Sequence, residues 1–301
     1  MKKWICLLLA LPLFAQAAEI KIGFQKSAGL LSMMKTQGAA LSGHTIKWIE
    51  FPAGPQMLEA LNAGSIDFGS TGAPPPIFAQ AGGVDLLYVG AEPAPVNSEA
   101  IIVPKESTLR TVAQLKGKRV AFQKGSGSHF LLASAFQKAG LKISDITPIF
   151  LSPSDARAAF LGGGIDAWVV WDPYLASAQK AYQARVLADY TGLPLANGFY
   201  VASRKFAEQS PQLVSALLEQ VKATGRWASE HRKEVSTLLT QQTGVPADIV
   251  ATWMGRSRFG AMPVTPDIVA NQQRVADLFY QQKLIPKAVN IASRVWTWQP
   301  K

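Results

Sequence analysis

Downstream of residue 18, short apolar runs alternate with longer stretches whose apolar positions recur every three or four residues. The short runs, bounded by glycine, proline and small polar residues, predict strands, and the longer stretches predict helices. Strands are expected over 19–24, 45–51 and 67–70, interleaved with helices over about 29–41, 55–63 and 76–81. The same order recurs further on, with strands over 119–122, 146–150 and 167–170 and helices over about 129–139, 153–161 and 173–180. Two more strand-like runs, 86–89 and 100–103, separate the sets, and another, 199–202, follows them. From about residue 204 the pattern is helical, with helices over 211–229, 232–243, 246–254 and 266–282. Strands alternating with helices predict an α/β fold built on mostly parallel sheets with right-handed crossovers.

The two sets share landmarks. "KIGFQKSAGLLSMM" begins at Lys21 and "RVAFQKGSGSHFLL" at Arg119, with Phe24 and Phe122 98 residues apart. "ALNAGSIDFGSTG" and "AFLGGGIDAWVVW" supply a second pair, each a helix end, a glycine stop, Ile-Asp and a strand. Asp67 follows Phe24 by 43 residues, and Asp166 follows Phe122 by 44. A period this long is too large for a solenoid repeat and suits two similar lobes. The expected division is 18–103 plus 200–301 for lobe one and 104–199 for lobe two. The chain would cross near Val103-Pro104 and return near the 199–202 strand. Two crossings make a hinge, and the C-terminal helices are placed against lobe one.

Composition adds a leader and removes some chemistry. "MKKWICLLLALPLFAQAAE" carries two lysines, an apolar run from Trp4 to Phe14 and an Ala15-Gln16-Ala17 cleavage pattern, so residues 1–17 read as a secretory signal peptide. The run is shorter than the ~20 residues needed to span a bilayer. Cleavage there would put the mature chain in the periplasm, without Cys6, the only cysteine. A chain of 301 residues builds cores large enough to do without disulfides. Losing Lys2 and Lys3 takes the formal charge from +10 to +8. The remaining cations are scattered rather than clustered, which argues against nucleic acid as a partner. A basic field of this kind suits a small anion.

In an open α/β sheet, ligands bind beyond the carboxyl ends of the strands. There the first amides of each following helix lack internal partners and favour an anion. Four turns qualify: Gln25-Lys26-Ser27, Ser70-Thr71-Gly72, Gln123 through Ser128, and Trp171-Asp172. The repeated Phe-Gln-Lys junction then supplies one such turn per lobe, facing a shared ligand. Each residue also has a plain structural use. Asp172-Pro173 suits a helix N-cap, Lys26 and Lys124 suit solvated positions, Trp171 suits a core, and His129 suits a helix interior. Catalytic and metal patterns fail. Gly125-Ser126-Gly127 meets Phe130 where a dinucleotide fingerprint needs a small residue, and Gly162 through Ala167 precedes a strand instead of following one. His44, His129 and His231 lack metal-ligand spacing. No cofactor, metal or catalytic residue is expected, and the chain is read as a non-enzyme.

Several segments carry a family resemblance: "EFPAGPQMLEALNAGSIDFGSTG", "PPIFAQA", "VAFQKGSGSH", "DARAAF", "IDAWVVWDPY" and "ADLFYQQKLIPKAV". In this order, over essentially the whole mature chain, they closely resemble the periplasmic aliphatic sulfonate-binding proteins of ABC importers, within the group that includes sulfonate, taurine and nitrate binders. The resemblance implies a type II two-lobed binding protein with a two-segment hinge. It would be a monomer that closes on a small anionic ligand and docks on a membrane permease, serving sulfur acquisition. Carried over residue by residue, the pocket falls on Gln25, Ser70, Thr71, Gly72, Ser126, Gly127, Ser128, Trp171 and Asp172, with Gln56 as a weaker member. Relatives often carry an acidic residue where this chain has Ala73, followed by Pro74-Pro75-Pro76. The absent carboxylate removes a partner for a ligand amine or hydroxyl, or eases entry of a more apolar or more acidic ligand. Taurine, nitrate and a thiamine-related pyrimidine remain alternative ligands. An enzyme on the same fold, such as a thiamine-precursor synthase, would need a reactive His or Cys in the cleft.

Overall fold

The computed structural model describes residues 18–25, 29–41, 43–94 and 97–300. The expected signal peptide lies outside them. Two five-stranded sheets are built on one plan. The first contains β1 (Ala18–Gln25), β2 (His44–Phe51), β3 (Phe68–Thr71), β4 (Leu86–Ala91) and β10 (Phe199–Ser203), in the order β2-β1-β3-β10-β4. The second contains β5 (Glu99–Val103), β6 (Arg119–Phe122), β7 (Thr147–Phe150), β8 (Ala167–Trp171) and β9 (Arg185–Asp189), in the order β7-β6-β8-β5-β9.

Each sheet has a parallel core, β2-β1-β3 or β7-β6-β8. Its fourth strand runs antiparallel to both neighbours, so the sheets are mixed. That fourth strand comes from the far side of a crossing: β10 enters the first sheet after the second is complete, and β5 opens the second. The sequence reading ran lobe one through 103. Pairing of β5 with β8 and β9 instead puts the first crossing between Ala91 and Glu99. The return lies between Asp189 and Phe199. β9 was not expected either. It is a short, half-buried edge strand whose identity depends on β5 beside it.

The repeated Ile-Asp landmark has a structural cause. Asp67 accepts the Lys21 amide at 2.9 Å through Oδ2 and donates its own amide to the Lys21 carbonyl. Asp166 does the same with Arg119, at 2.8 Å. Each aspartate clamps its incoming strand to the first strand of its lobe. The preceding chain reversals need left-handed backbone, at Gly64 (φ +68°) and Gly163 (φ +71°), which glycine adopts without a Cβ penalty.

Helices cover the sheets. In the first half these are α1 (Leu30–Thr36), α2 (Gly54–Asn62) and α3 (Pro74–Ala81). In the second they are α4 (Gly127–Lys138), α5 (Pro153–Leu161) and α6 (Tyr174–Tyr182). The C-terminal part adds α7 (Arg204–Gln209), α8 (Pro211–Glu230), α9 (Arg232–Thr243), α10 (Ala247–Arg256) and α11 (Pro266–Gln281). Apolar faces of α8, α9 and α10 bury Val221, Leu239 and Val250 with Ile20, Ile22 and Phe24 of the first sheet. The placement against lobe one therefore holds for these three. α11 bridges both lobes: Phe279 packs on Phe78 of α3 at 5.0 Å and lies 5.2 Å from the His129 ring of α4. Among the described residues no helix is long and apolar enough to cross a membrane.

Candidate functional site

The carboxyl ends of β1, β3 and β8 and the start of α4 converge on a cavity of about 240 Å³ between the two sheets. Gln25, Ser70, Thr71, Gly72, Ser126, Gly127, Trp171 and Asp172 all line it. Lys26 and Ser27 lie outside the described residues. Ser128 is fully buried, and its side chain does not line the cavity. It can contribute only through its backbone amide. Gln56 and Lys124 are not lining residues either; Lys124 is exposed and stands 5.6 Å from the Phe150 ring.

The helix starts around the cavity differ in what they offer. α3 opens with Pro74-Pro75-Pro76, so its first turn carries no amide hydrogens. Its neighbours supply polar atoms instead: Ser70 and Thr71 are 7% and 4% exposed, and Thr71 Oγ1 has no hydrogen-bond partner among the described residues. The junction of β8 and α6 is already satisfied. Asp172 Oδ1 accepts the Ala176 amide at 2.9 Å, and the Asp172 amide donates to the Ser98 carbonyl. Pro173, not Asp172, is the N-cap of α6; Asp172 satisfies the Ala176 amide from the position before it and also keeps a place in the wall.

The start of α4 is open. Ser126 occupies the N-cap position but gives no side-chain cap; its hydroxyl donates to the Gln123 carbonyl at 2.7 Å. The Gly127 and Ser128 amides are left without an intrahelical acceptor, as the first amides of any helix are. A 12-residue helix directs its dipole onto that point. Next door, His129 is a core residue. Its Nδ1 accepts the Gly125 amide at 3.2 Å, its ring lies between Phe122 and Phe279, and burial drives its pKa down to about 4.

Three carboxylates also face the cavity: Glu92, Glu99 and Asp172. Burial pushes Glu92 up to about 7, against a hydrogen bond from Tyr200. Burial also pushes Glu99 up to about 7, helped by the Asp172 charge and opposed by Tyr190, whose hydroxyl donates to Glu99 Oε2 at 3.0 Å. Asp172 rises to about 6 because burial outweighs the Arg256 guanidinium 3.2 Å away. Arg256, on α10, reaches Asp172 and Gln179 from the opposite lobe. Among the described residues no three His, Cys, Asp or Glu side chains form a set that could hold a metal ion.

Sequence reasoning missed Glu92, Glu99, Tyr190 and a wall from α10 and its exit, Trp253, Ser257, Arg258 and Phe259. The two glutamates flank the first crossing, where no periodic pattern marks a side chain as inward. The α10 wall is remote in sequence from every strand end. With Phe24 and Leu31 it gives the cavity an apolar side opposite the α4 amides. Phe199 packs on Tyr88 at 4.9 Å, away from the cavity.

Two α/β lobes joined by two crossings, with a polar cavity between them, define the periplasmic binding protein fold. The chain belongs to the NMT1/THI5-like family, whose model matches residues 46–235. It is 45% identical over 298 residues to an aliphatic sulfonates-binding protein of Escherichia coli, covering 96% of this chain and 93% of that one. Among solved structures it is similar to the alkanesulfonate-binding protein SsuA of Xanthomonas axonopodis pv. citri bound to MOPS. That match has 44% identity and a TM-score of 0.90, covering 94% of this chain and 99% of that one. It is also similar to the periplasmic aliphatic sulphonate binding protein SsuA of Escherichia coli, at 44% identity and TM-score 0.85, covering 94% and 93%.

Proposed function

We propose that this chain is the periplasmic substrate-binding component of an ABC importer for aliphatic sulfonates, delivered after its leader is removed and acting as a monomer without catalysis. The observation that carries this reading is the pairing of the uncapped α4 start with an apolar wall across one cavity. The Gly127 and Ser128 amides and the Ser126 hydroxyl would take the sulfonate oxygens from lobe two. Ser70, Thr71, Gly72 and Gln25 would meet them from lobe one. A buried anion needs several hydrogen bonds to offset desolvation, and amides and hydroxyls supply them without a full counter-charge. Trp171, Phe24, Leu31, Trp253 and Phe259 would enclose the carbon tail. Asp172 belongs to the wall as partner of the Ala176 amide and of Arg256. Ala73, in place of an acidic side chain, adds no charge of its own beside the anion.

The ligand touches both lobes only when they are closed, so it shifts the population toward the closed state. The lobes would close about the two crossings that follow Ala91 and Asp189, and the closed form would be the one that docks on the permease. The experiment is calorimetric titration of refolded, ligand-stripped mature protein with alkanesulfonates of increasing length, taurine, sulfate, nitrate and a pyrimidine. Tight binding of alkanesulfonates, with sulfate and nitrate weak, is expected. Binding of nitrate or pyrimidine alone would keep the fold and overturn the ligand.

A further inference from the structure

The cavity meant for an anion is guarded by an anion of its own. Glu99 opens β5 and points back over the first residue of α4: a Cβ on Gly127 would run into Glu99 Oε1 and stand 2.8 Å from Oε2. The carboxylate therefore lies against a helix start whose first amides have no side-chain cap. Tyr190 holds it there through Oε2 and also approaches the Gly127 carbonyl at 3.4 Å. On the lobe-one wall Thr71 is 4% exposed, and its Oγ1, packed against Gly54, has no hydrogen-bond partner among the described residues.

We propose that Glu99 couples sulfonate binding to the uptake of a proton: the ligand is admitted to the α4 start when Glu99 is neutral, and its carboxyl then donates a hydrogen bond where an ionised one would repel. This deepens the sulfonate reading and rests on it. Two negative groups sharing one buried seat force one of them to accept a proton, as paired carboxylates do. A sulfonate stays ionised throughout the accessible pH range, so the proton goes to Glu99.

The surroundings favour this residue over its neighbours. Asp172 lies near Glu99 and raises it, but Asp172 is itself committed to Arg256 and the Ala176 amide. Glu92 sits at the other end of the same crossing, against Gly198 of the return segment, where a Cβ would stand 2.6 Å from its Oε2. Arg258 lines the α10 side of the cavity, and its Nη1 donates to the Ser257 carbonyl at 3.3 Å. His129, next along α4, is turned into the aromatic core. Burial pushes the Glu99 carboxyl up to about 7. Below that pH it is already neutral and binding needs no proton. Above it, binding draws a proton from solvent, so affinity falls as pH rises.

The test is titration of an alkanesulfonate, for example ethanesulfonate, from pH 5.5 to 9 in two buffers of different ionisation enthalpy. The wild type is expected to lose affinity by about tenfold per pH unit above ~7 and to take up about one proton there. Glu99→Gln, a neutral isostere that keeps a donor, should flatten the slope, abolish proton uptake and bind more tightly than wild type at pH 8.5. Glu92→Gln should keep the wild-type slope. Tyr190→Phe removes the bond that favours the ionised form, so its affinity should begin to fall at a higher pH, which preserves the test should Glu99→Gln misfold. Sulfonate binding that is flat with pH, or a slope unchanged in Glu99→Gln, overturns this inference alone. Absence of sulfonate binding even at pH 5.5 overturns the sulfonate reading and this inference with it.

Discussion

At the scale of single residues, the lobe-one wall is set by a glycine. A Cβ on Gly54, at the start of α2, would run into Thr71 Oγ1 and lie 2.8 Å from Pro75 Cγ. Proline cannot turn away, and Thr71 is 4% exposed, so the backbone of the β3–α3 turn must move. Gly54→Ala is expected to cost about 1–3 kcal/mol of stability, the usual penalty of overpacking. It should also weaken ligand binding more than the stability loss alone accounts for. Thermal denaturation with and without ligand separates the two effects, and a variant with wild-type melting and affinity would refute the assignment. Residue identities at the strand ends were legible because turn chemistry is local: Gln25, Ser70, Thr71, Gly72, Ser126, Gly127, Trp171 and Asp172 all reach the cavity. Ser128 faces away because the first turn of α4 rotates successive side chains around its axis. Glu92 and Glu99 were illegible because a half-buried carboxylate is defined by what folds over it, here Gly198 and Gly127.

At the scale of elements, the twin aspartate clamps make the repeat more than a pattern. Asp67 Oδ2 holds the Lys21 amide in a half-buried position, and Asp166 holds the Arg119 amide at the exposed start of β6, where it also pairs with the Arg119 guanidinium. The exposed ion pair adds little, since solvent screens it. The amide bond differs, because leaving a shielded N–H unsatisfied costs about 1–3 kcal/mol. Asp67→Ala should therefore destabilise the protein more than Asp166→Ala, by denaturant or thermal unfolding, although Asp166 makes more contacts. Equal losses would mean that the ion pair matters after all. Strands and helices were largely legible because their periods are local. The partner of a strand was not. β5 reads as apolar, with every residue after Glu99 buried, and nothing within it says which sheet receives it. The crossing near 103 was inferred from sequence order, whereas strand pairing across 70 residues, Ala100 with Val170, decides it.

At the scale of the whole molecule, the two lobes meet on both flanks of the cleft, by different means. On one flank α11 fills the gap with Phe279 against α3 and α4, an apolar contact that does not depend on charge. On the other flank α10 and α6 meet through polar groups. Arg256 grips Asp172 at 3.2 Å and Gln179 at 2.6 Å, and Lys180 faces Asp248 at 3.7 Å. The Lys180 pair is half exposed and contributes little. The Arg256 pair has a carboxylate only 2% exposed, so removing the guanidinium would leave a buried charge uncompensated. Opening the lobes would hydrate that charge. Arg256→Ala at pH 7.5 should therefore shift the ligand-free protein toward open conformations and reduce ligand affinity, because part of the binding energy is then spent on closing the cleft. Small-angle scattering should give a larger radius of gyration for the ligand-free variant than for wild type, converging once sulfonate is saturating. Asp172→Asn with Arg256→Ala removes the stranded charge and should recover much of the compactness. An Arg256→Ala variant as compact as wild type without ligand would assign the closing force to α11 and the hinge segments.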